Sequence, residues 1–166
     1  MQKTFSTVII VLSILLAACS PKFDWRDVRG TEAPFTVLLP AKPGALSREM
    51  TLSGVKLNLH MTAADVDNIS FSVGAAKLDD PSKIPEVLAA MQKGMISNIR
   101  GTPANESVVA GQDVVSYGTL SNGQPVKLVG RFVARGAWVY QIVIIGKDKL
   151  LTPEVVDTFM TSFKAS

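Results

Sequence analysis

The 166-residue chain has one cysteine, Cys19, and one histidine, His60. A single cysteine excludes an intramolecular disulfide, and with a single histidine it gives none of the ligand spacings of zinc sites. A serine–histidine–acid triad would have to use His60, which alternates outward on a strand with Lys56, Asn58 and Thr62 as a solvated side chain. Phosphate-cradling loops are lacking too, because Gly94, Gly101 and Gly111 stand singly at helix and turn positions. The acidic pair Asp79-Asp80 precedes Pro81 and a helix, where it favours the positive helix end over a cation. Asn105-Glu106-Ser107 fits a glycosylation sequon by letters only. There is no internal repeat or charge block, and the formal net charge of +3 is spread among interspersed signs, unlike the basic face of a nucleic-acid binder. These absences lead to an expectation of no metal, no cofactor and no catalytic residue.

What is present begins at the amino terminus. Met1-Gln2-Lys3 precedes an apolar stretch from Phe5 through Leu16, and Leu16-Ala17-Ala18-Cys19 follows, with the charged head, greasy middle and small-residue exit of a secretory signal. The stretch is too short to span a bilayer, which takes about 20 apolar residues, and it carries Ser6, Thr7 and Ser13 with Pro21 soon after. Cleavage between Ala18 and Cys19 is expected. It leaves 148 residues near +2 in charge once Lys3 is gone, enough for a single domain with its own core.

Leu16-Ala17-Ala18-Cys19 resembles the lipobox of bacterial lipoproteins. The resemblance implies a diacylglyceryl thioether on Cys19, cleavage before it and acylation of the new amino terminus. One acyl chain holds a protein only marginally at about 0.8 kcal/mol per buried methylene, whereas two or more hold it stably. With Ser20 rather than Asp after the cysteine, the Gram-negative sorting rule implied by the resemblance sends the chain to the outer membrane, facing the periplasm.

Residues 20–34 read as a tether, with alternating charges at Lys22, Asp24, Arg26, Asp27, Arg29 and Glu32. Phe23 and Trp25 are unusual in a linker: either they fold back on the domain, or they meet a partner or the membrane interface. The expected division is thus a signal over 1–18, a lipidated tether over 19–34 and a single domain over 35–166.

Within that domain, period-two patterns predict strands at Phe35–Leu39, Leu46–Leu52, Val55–Thr62, Ile69–Ala75, Glu106–Ala110, Asp113–Leu120, Val126–Ala134 and Trp138–Ile145. Ser53-Gly54, Asp65-Val66-Asp67-Asn68, Gly111, Asn122-Gly123 and Gly136 supply turns. Trp138–Ile145 is apolar on both sides and should be central. Ile84, Val87, Leu88, Met91, Met95 and Ile99 make a helical stripe that Gly101 and Pro103 end. Thr152 and Pro153 open a second helix carrying Val155, Val156, Phe159, Met160 and Phe163. The sum is an α+β fold, an antiparallel meander sheet of six or seven strands with one helix inserted midway and one at the carboxyl end. Two helices are expected on one face and the arm over part of the other.

Phe35-Thr36-Val37-Leu38-Leu39-Pro40 with Pro43, Arg131 before Trp138-Val139-Tyr140-Gln141-Ile142, and Phe159 with Ser162-Phe163 resemble the PsbP-like superfamily. That superfamily includes a photosystem extrinsic protein, a eukaryotic Ran-binding protein and many bacterial envelope proteins. The resemblance implies a sheet sandwiched with helices. It transfers no metal- or partner-binding residue, because the matching positions serve core and turns.

Lys127, Arg131 and Arg135 recur every four residues on one strand, which sets them on one face at intervals of about 13 Å. Two readings fit: a candidate face for an anionic partner, or stems that cover apolar sheet while the charges reach water. The expected function is a noncatalytic binding or assembly module, anchored by lipid and facing a protein or envelope-polymer partner. The alternative is a carrier of a small apolar or lipid ligand, which would need an apolar cavity that Met91, Met95 and Met160 leave unfilled.

Overall fold

The computed structural model describes residues 22–103 and 111–166. Alternating apolar residues build strands β1 (Arg26–Arg29), β2 (Phe35–Leu39), β3 (Gly44–Leu52), β4 (Val55–Val66) and β5 (Ile69–Lys77). Helix α1 (Ile84–Asn98) and strands β6 (Thr102–Pro103), β7 (Asp113–Thr119), β8 (Pro125–Arg135) and β9 (Trp138–Gly146) follow. Helix α2 (Pro153–Ser162) and strand β10 (Lys164–Ala165) close the chain. The strand expected over Glu106–Ala110 and the Asn105-Glu106-Ser107 sequon lie outside the described residues, as do the signal segment, Leu16, Ala17, Ala18, Cys19 and Ser20.

The main sheet has seven strands in the order β3-β4-β5-β9-β8-β7-β6, all neighbours antiparallel. The fold class is the expected α+β arrangement. Its connectivity is two meanders, β3 to β5 and β6 to β9, with α1 between them and Val73 of β5 paired to Ile142 of β9 at the seam. Strand β9 therefore lies at the centre of the sheet, and its alternation explains why both sides are dry. Tyr140, Ile142 and Ile144 enter one core with Phe71, Phe159 and Met160, while Val139 and Val143 enter another with Val87, Met91 and Leu128.

The two helices cover opposite faces of the sheet, which corrects the expectation that both share one. Helix α1 buries Val87, Met91 and Ile96 against the face that carries Leu128, Phe132 and Val143. Helix α2 buries Val155, Phe159 and Met160 against the Phe71 and Ile142 face. Sequence stripes give each helix its apolar side but not the side of the sheet, because α1 crosses from β5 to β6 whereas α2 returns after β9.

A second, three-stranded sheet in the order β1-β2-β10 completes the α2 layer. Arg26 pairs with Leu39 and Arg29 with Thr36, and Lys164 pairs with Thr36 on the other side. Thus the segment expected to be a tether contains a strand. Ser162 ties this sheet to α2: its hydroxyl accepts from the Leu38 amide at 2.9 Å and donates to the Phe159 carbonyl at 2.7 Å.

Local chemistry accounts for the element ends. The hairpin β4–β5 turns on Asp67 and Asn68 alone, both with positive φ (50° and 62°), and β3–β4 turns on Ser53 and Gly54 (48° and 77°); paired positive angles match the right-handed strand twist. Helix α1 ends with Arg100 in the left-handed region at φ 48°, and the Gly101 amide donates back to Ile96 at 2.9 Å. Gly101 is needed for space instead: here the chain crosses β7 so closely that the Thr119 amide donates to Ile99 at 2.6 Å. A methyl on Gly118 would meet the Ile99 carbonyl and the Gly101 backbone. Thr152 caps α2 by accepting from the Val155 amide at 3.4 Å, with Pro153 in its first turn.

Strand β3 is an edge of the main sheet, with Leu46 largely exposed. Arg48 and Glu49 occupy its middle.

Candidate functional site

The arm that follows the cysteine docks. The rings of Phe23 and Trp25 lie 5.6 Å apart at a tilt of 32°, and both meet Phe71 edge-on, at 6.2 Å and 5.8 Å. Phe71 in turn contacts Phe159 of α2 at 5.3 Å, so the arm joins an aromatic chain that runs into the core. Asp24 contributes its amide to the Pro40 carbonyl at 2.9 Å, and Lys22 reaches Asp67 at 3.5 Å. Of the two readings open at the sequence level, packing on the same chain is the one observed for Phe23 and Trp25.

Lys127, Arg131 and Arg135 do share one side of β8, the side on which Val129 and Val133 meet the Phe71 core. Their charges are used differently. Arg131 makes two parallel bonds to Asp113 of β7, Nε to Oδ1 at 2.7 Å and Nη2 to Oδ2 at 3.1 Å. Its Nη1 donates to the Met160 carbonyl at 2.9 Å, in the last turn of α2, where carbonyls lack helical partners and a cation is favoured. Lys127 pairs with Asp148 at 3.1 Å and lies 5.8 Å from the Tyr117 ring centre. Arg135 is exposed and forms no ion pair among the described residues. The three do not form a free basic face: one clamps sheet to helix, one pins the Asp148 turn, and one remains.

His60 of β4 is half-buried, not fully solvated; Ser47 of β3 lies 2.7 Å from its Nδ1, and the Trp138 ring centre is 6.4 Å away. Both nitrogen and hydroxyl are cross-strand neighbours in the β3–β4 ladder. Asp80 behaves as its place before a helix dictates. It accepts from the Ser82 amide at 2.9 Å, and the Ser82 side chain first, with this amide second, holds its carboxyl below the usual value. Among the described residues, no group of three or more His, Cys, Asp or Glu gathers to hold a metal. Nor is any helix among them long and apolar enough to cross a membrane.

Sequence reasoning missed two polar anchors inside the sandwich. Tyr140 donates its hydroxyl to the Pro34 carbonyl at 3.0 Å, and burial raises its pKa, with Arg135 opposing. Gln141 is buried on the opposite face of β9, beside Met61, and Gly74 opposite it supplies the room: a methyl there would stand 2.7 Å from the Gln141 Cγ. A polar residue in an otherwise apolar central strand was the available signal for Gln141.

On the α1 side a groove of about 540 Å³ opens to solvent. Pro85, Leu88, Ala89, Ile96, Pro103 and Phe132 provide most of its apolar lining. Met91 and Met160 are buried in the two cores and do not line it.

No protein-family model matches the chain, and no curated protein matches it.

Proposed function

We propose that the protein is a lipid-anchored envelope lipoprotein whose single domain acts as a noncatalytic binding or assembly module for a protein or envelope polymer. The observation that carries this reading is Leu16-Ala17-Ala18-Cys19, placed directly after an apolar signal and directly before an arm that docks. The outer membrane, periplasmic side, is the proposed address, following Ser20. Kinship with the PsbP-like superfamily is proposed on the same footing; an antiparallel sheet between helical layers is compatible with it. The test is the intact mass of protein from its native host together with detergent partitioning. A thioether-linked diacylglycerol on Cys19, and loss of detergent partitioning in Cys19→Ser, are expected; an unmodified thiol in the wild type would defeat the reading.

A second reading, carriage of a small apolar ligand, is favoured by the α1 groove, whose volume lies within the range of about 300–1,000 Å³ of small-molecule sites. A fluorescent fatty acid should then bind the wild type and not Ala89→Arg, which places a long charged side chain at the groove while leaving both cores intact. Equal binding by both proteins would remove this reading.

A further inference from the structure

The arm has a consequence for how an anchored domain stands. Cys19 is four positions before Phe23, whose ring packs on both Trp25 and Phe71. Four residues reach at most about 14 Å when fully extended. A domain of about 150 residues has a radius of gyration of roughly 15 Å, so a link this short does not let it turn over. Had 20–34 been a free tether, the reach would be about 50 Å and the domain could present any side.

We infer that the bilayer surface packs against one particular end of the domain, an inference that rests on the lipid anchor proposed above. The end is fixed by where the arm enters. Lys22 pairs with Asp67 in the β4–β5 turn, and Lys22, Phe23 and Trp25 share a cleft with Lys149 and Thr152 at the start of α2. Asp67 and Asn68 flank a second cleft with Asn122 and Gln124 of the β7–β8 turn and with Gly146 at the end of β9. All these turns therefore lie at one end of the sheet, beneath which the headgroup layer sits. The Ser53-Gly54 turn, reached along β4 from Val66 back to Val55, and the Gly136 turn, reached along β9 from Gly146 back to Trp138, lie at the other end and face away from the membrane.

Reach, not charge, sets this pose. Lys22 pairs with Asp67 and Lys127 with Asp148, and Lys149 and Glu154 line one cleft, so the lower end carries cations and acids in comparable number. The contact is with the headgroup and water layer in general and does not require anionic lipid.

The inference is tested on the full lipidated chain in vesicles of phosphatidylethanolamine and phosphatidylglycerol that contain a headgroup-nitroxide lipid. Cys19 is blocked by its thioether, so a new cysteine is the only thiol to label. Ser121→Cys and Thr51→Cys are both exposed, at the lower and upper ends. A fluorophore at residue 121 should be quenched several-fold more than one at residue 51, with little change at high salt. A long Gly-Ser spacer inserted after Ser20 should equalise the two. Equal quenching, stronger quenching at 51, or a difference that survives the spacer would overturn the inference while an intact thioether leaves the anchor standing. A free thiol at Cys19 with no vesicle-bound protein would overturn both.

Discussion

Trp25 stands edge-on to Phe71, at 5.8 Å and 88°, so the residue six positions after the proposed lipid attachment packs against the domain core. Phe71 is fully buried, and Trp25 caps it from the half-exposed side. Edge-to-face pairs of this kind add about 0.5–1.5 kcal/mol to the area they bury. Trp25→Ala should therefore destabilise the domain by about 2 kcal/mol, below the figure for a fully buried aromatic. Thermal unfolding of the soluble domain would show a fall in Tm of roughly 4–8 °C; an unchanged Tm would mean that the arm is not docked in solution.

Arg131 and Asp113 should be coupled. Their two-bond geometry joins β7 to β8, and the third bond of Arg131 reaches α2. A double-mutant cycle with Arg131→Met and Asp113→Asn in urea should give a coupling of about 1 kcal/mol, since a bidentate, partly covered pair exceeds the usual surface value. Arg131→Met alone should cost more than Asp113→Asn alone, because it also leaves the Met160 carbonyl without its donor. Equal single costs and no coupling would make the residue a surface cation after all.

Tyr140 supplies a signature at high pH. Its pKa is raised by burial, so the folded state favours the neutral phenol, and the associated stability is complete below the unfolded value near 10. As pH rises from there through the folded pKa, that stability is lost, because the unfolded chain ionises first. Tyr140→Phe should abolish this alkaline component and cost about 1 kcal/mol at neutral pH through the lost bond to Pro34. Urea midpoints from pH 7 to pH 11 for both proteins would check it, and parallel alkaline decline in the two would refute it.

The crossing at Gly118 should be intolerant of even a methyl group. Gly118→Ala forces the end of α1 away from β7 and strains the Thr119–Ile99 bond. A loss of about 2 kcal/mol or more is expected, within the range for overpacked sites, whereas Gly94→Ala, which meets nothing on its open helix face, should be neutral or stabilising. Comparable denaturation midpoints for the two variants would contradict this account of the crossing.

Much of the fold was legible because long elements repeat their pattern. Strands β2, β4, β5, β7, β8 and β9 alternate over five residues or more, and α1 and α2 carry stripes bounded by proline, threonine and glycine. Strands β6 and β10 are two residues each, too short to show any period. Strand β1 reads Arg26-Asp27-Val28-Arg29 and is exposed at three of its four positions, so a charged strand looked like a charged linker. Its pairing to β2 is a backbone matter that side-chain letters do not record. The site was legible in the opposite way. The cysteine motif is wholly a matter of letters, whereas the Arg131 clamp needs Asp113 and Met160, eighteen and twenty-nine positions distant, to reveal that its charge is engaged.

Strand β3 pairs with β4 on one side only, so the backbone groups along its outer rim are a template on which a second molecule of the same chain can add. An antiparallel match about a two-fold axis sets the residue on the axis opposite itself. The register that overlaps the whole of Gly44–Leu52 is centred on Arg48 and opposes two guanidinium groups, so the fullest self-pairing of this edge is electrostatically disfavoured. Neutralising Arg48 would remove that opposition, and the product would be a closed two-fold dimer joined along this rim.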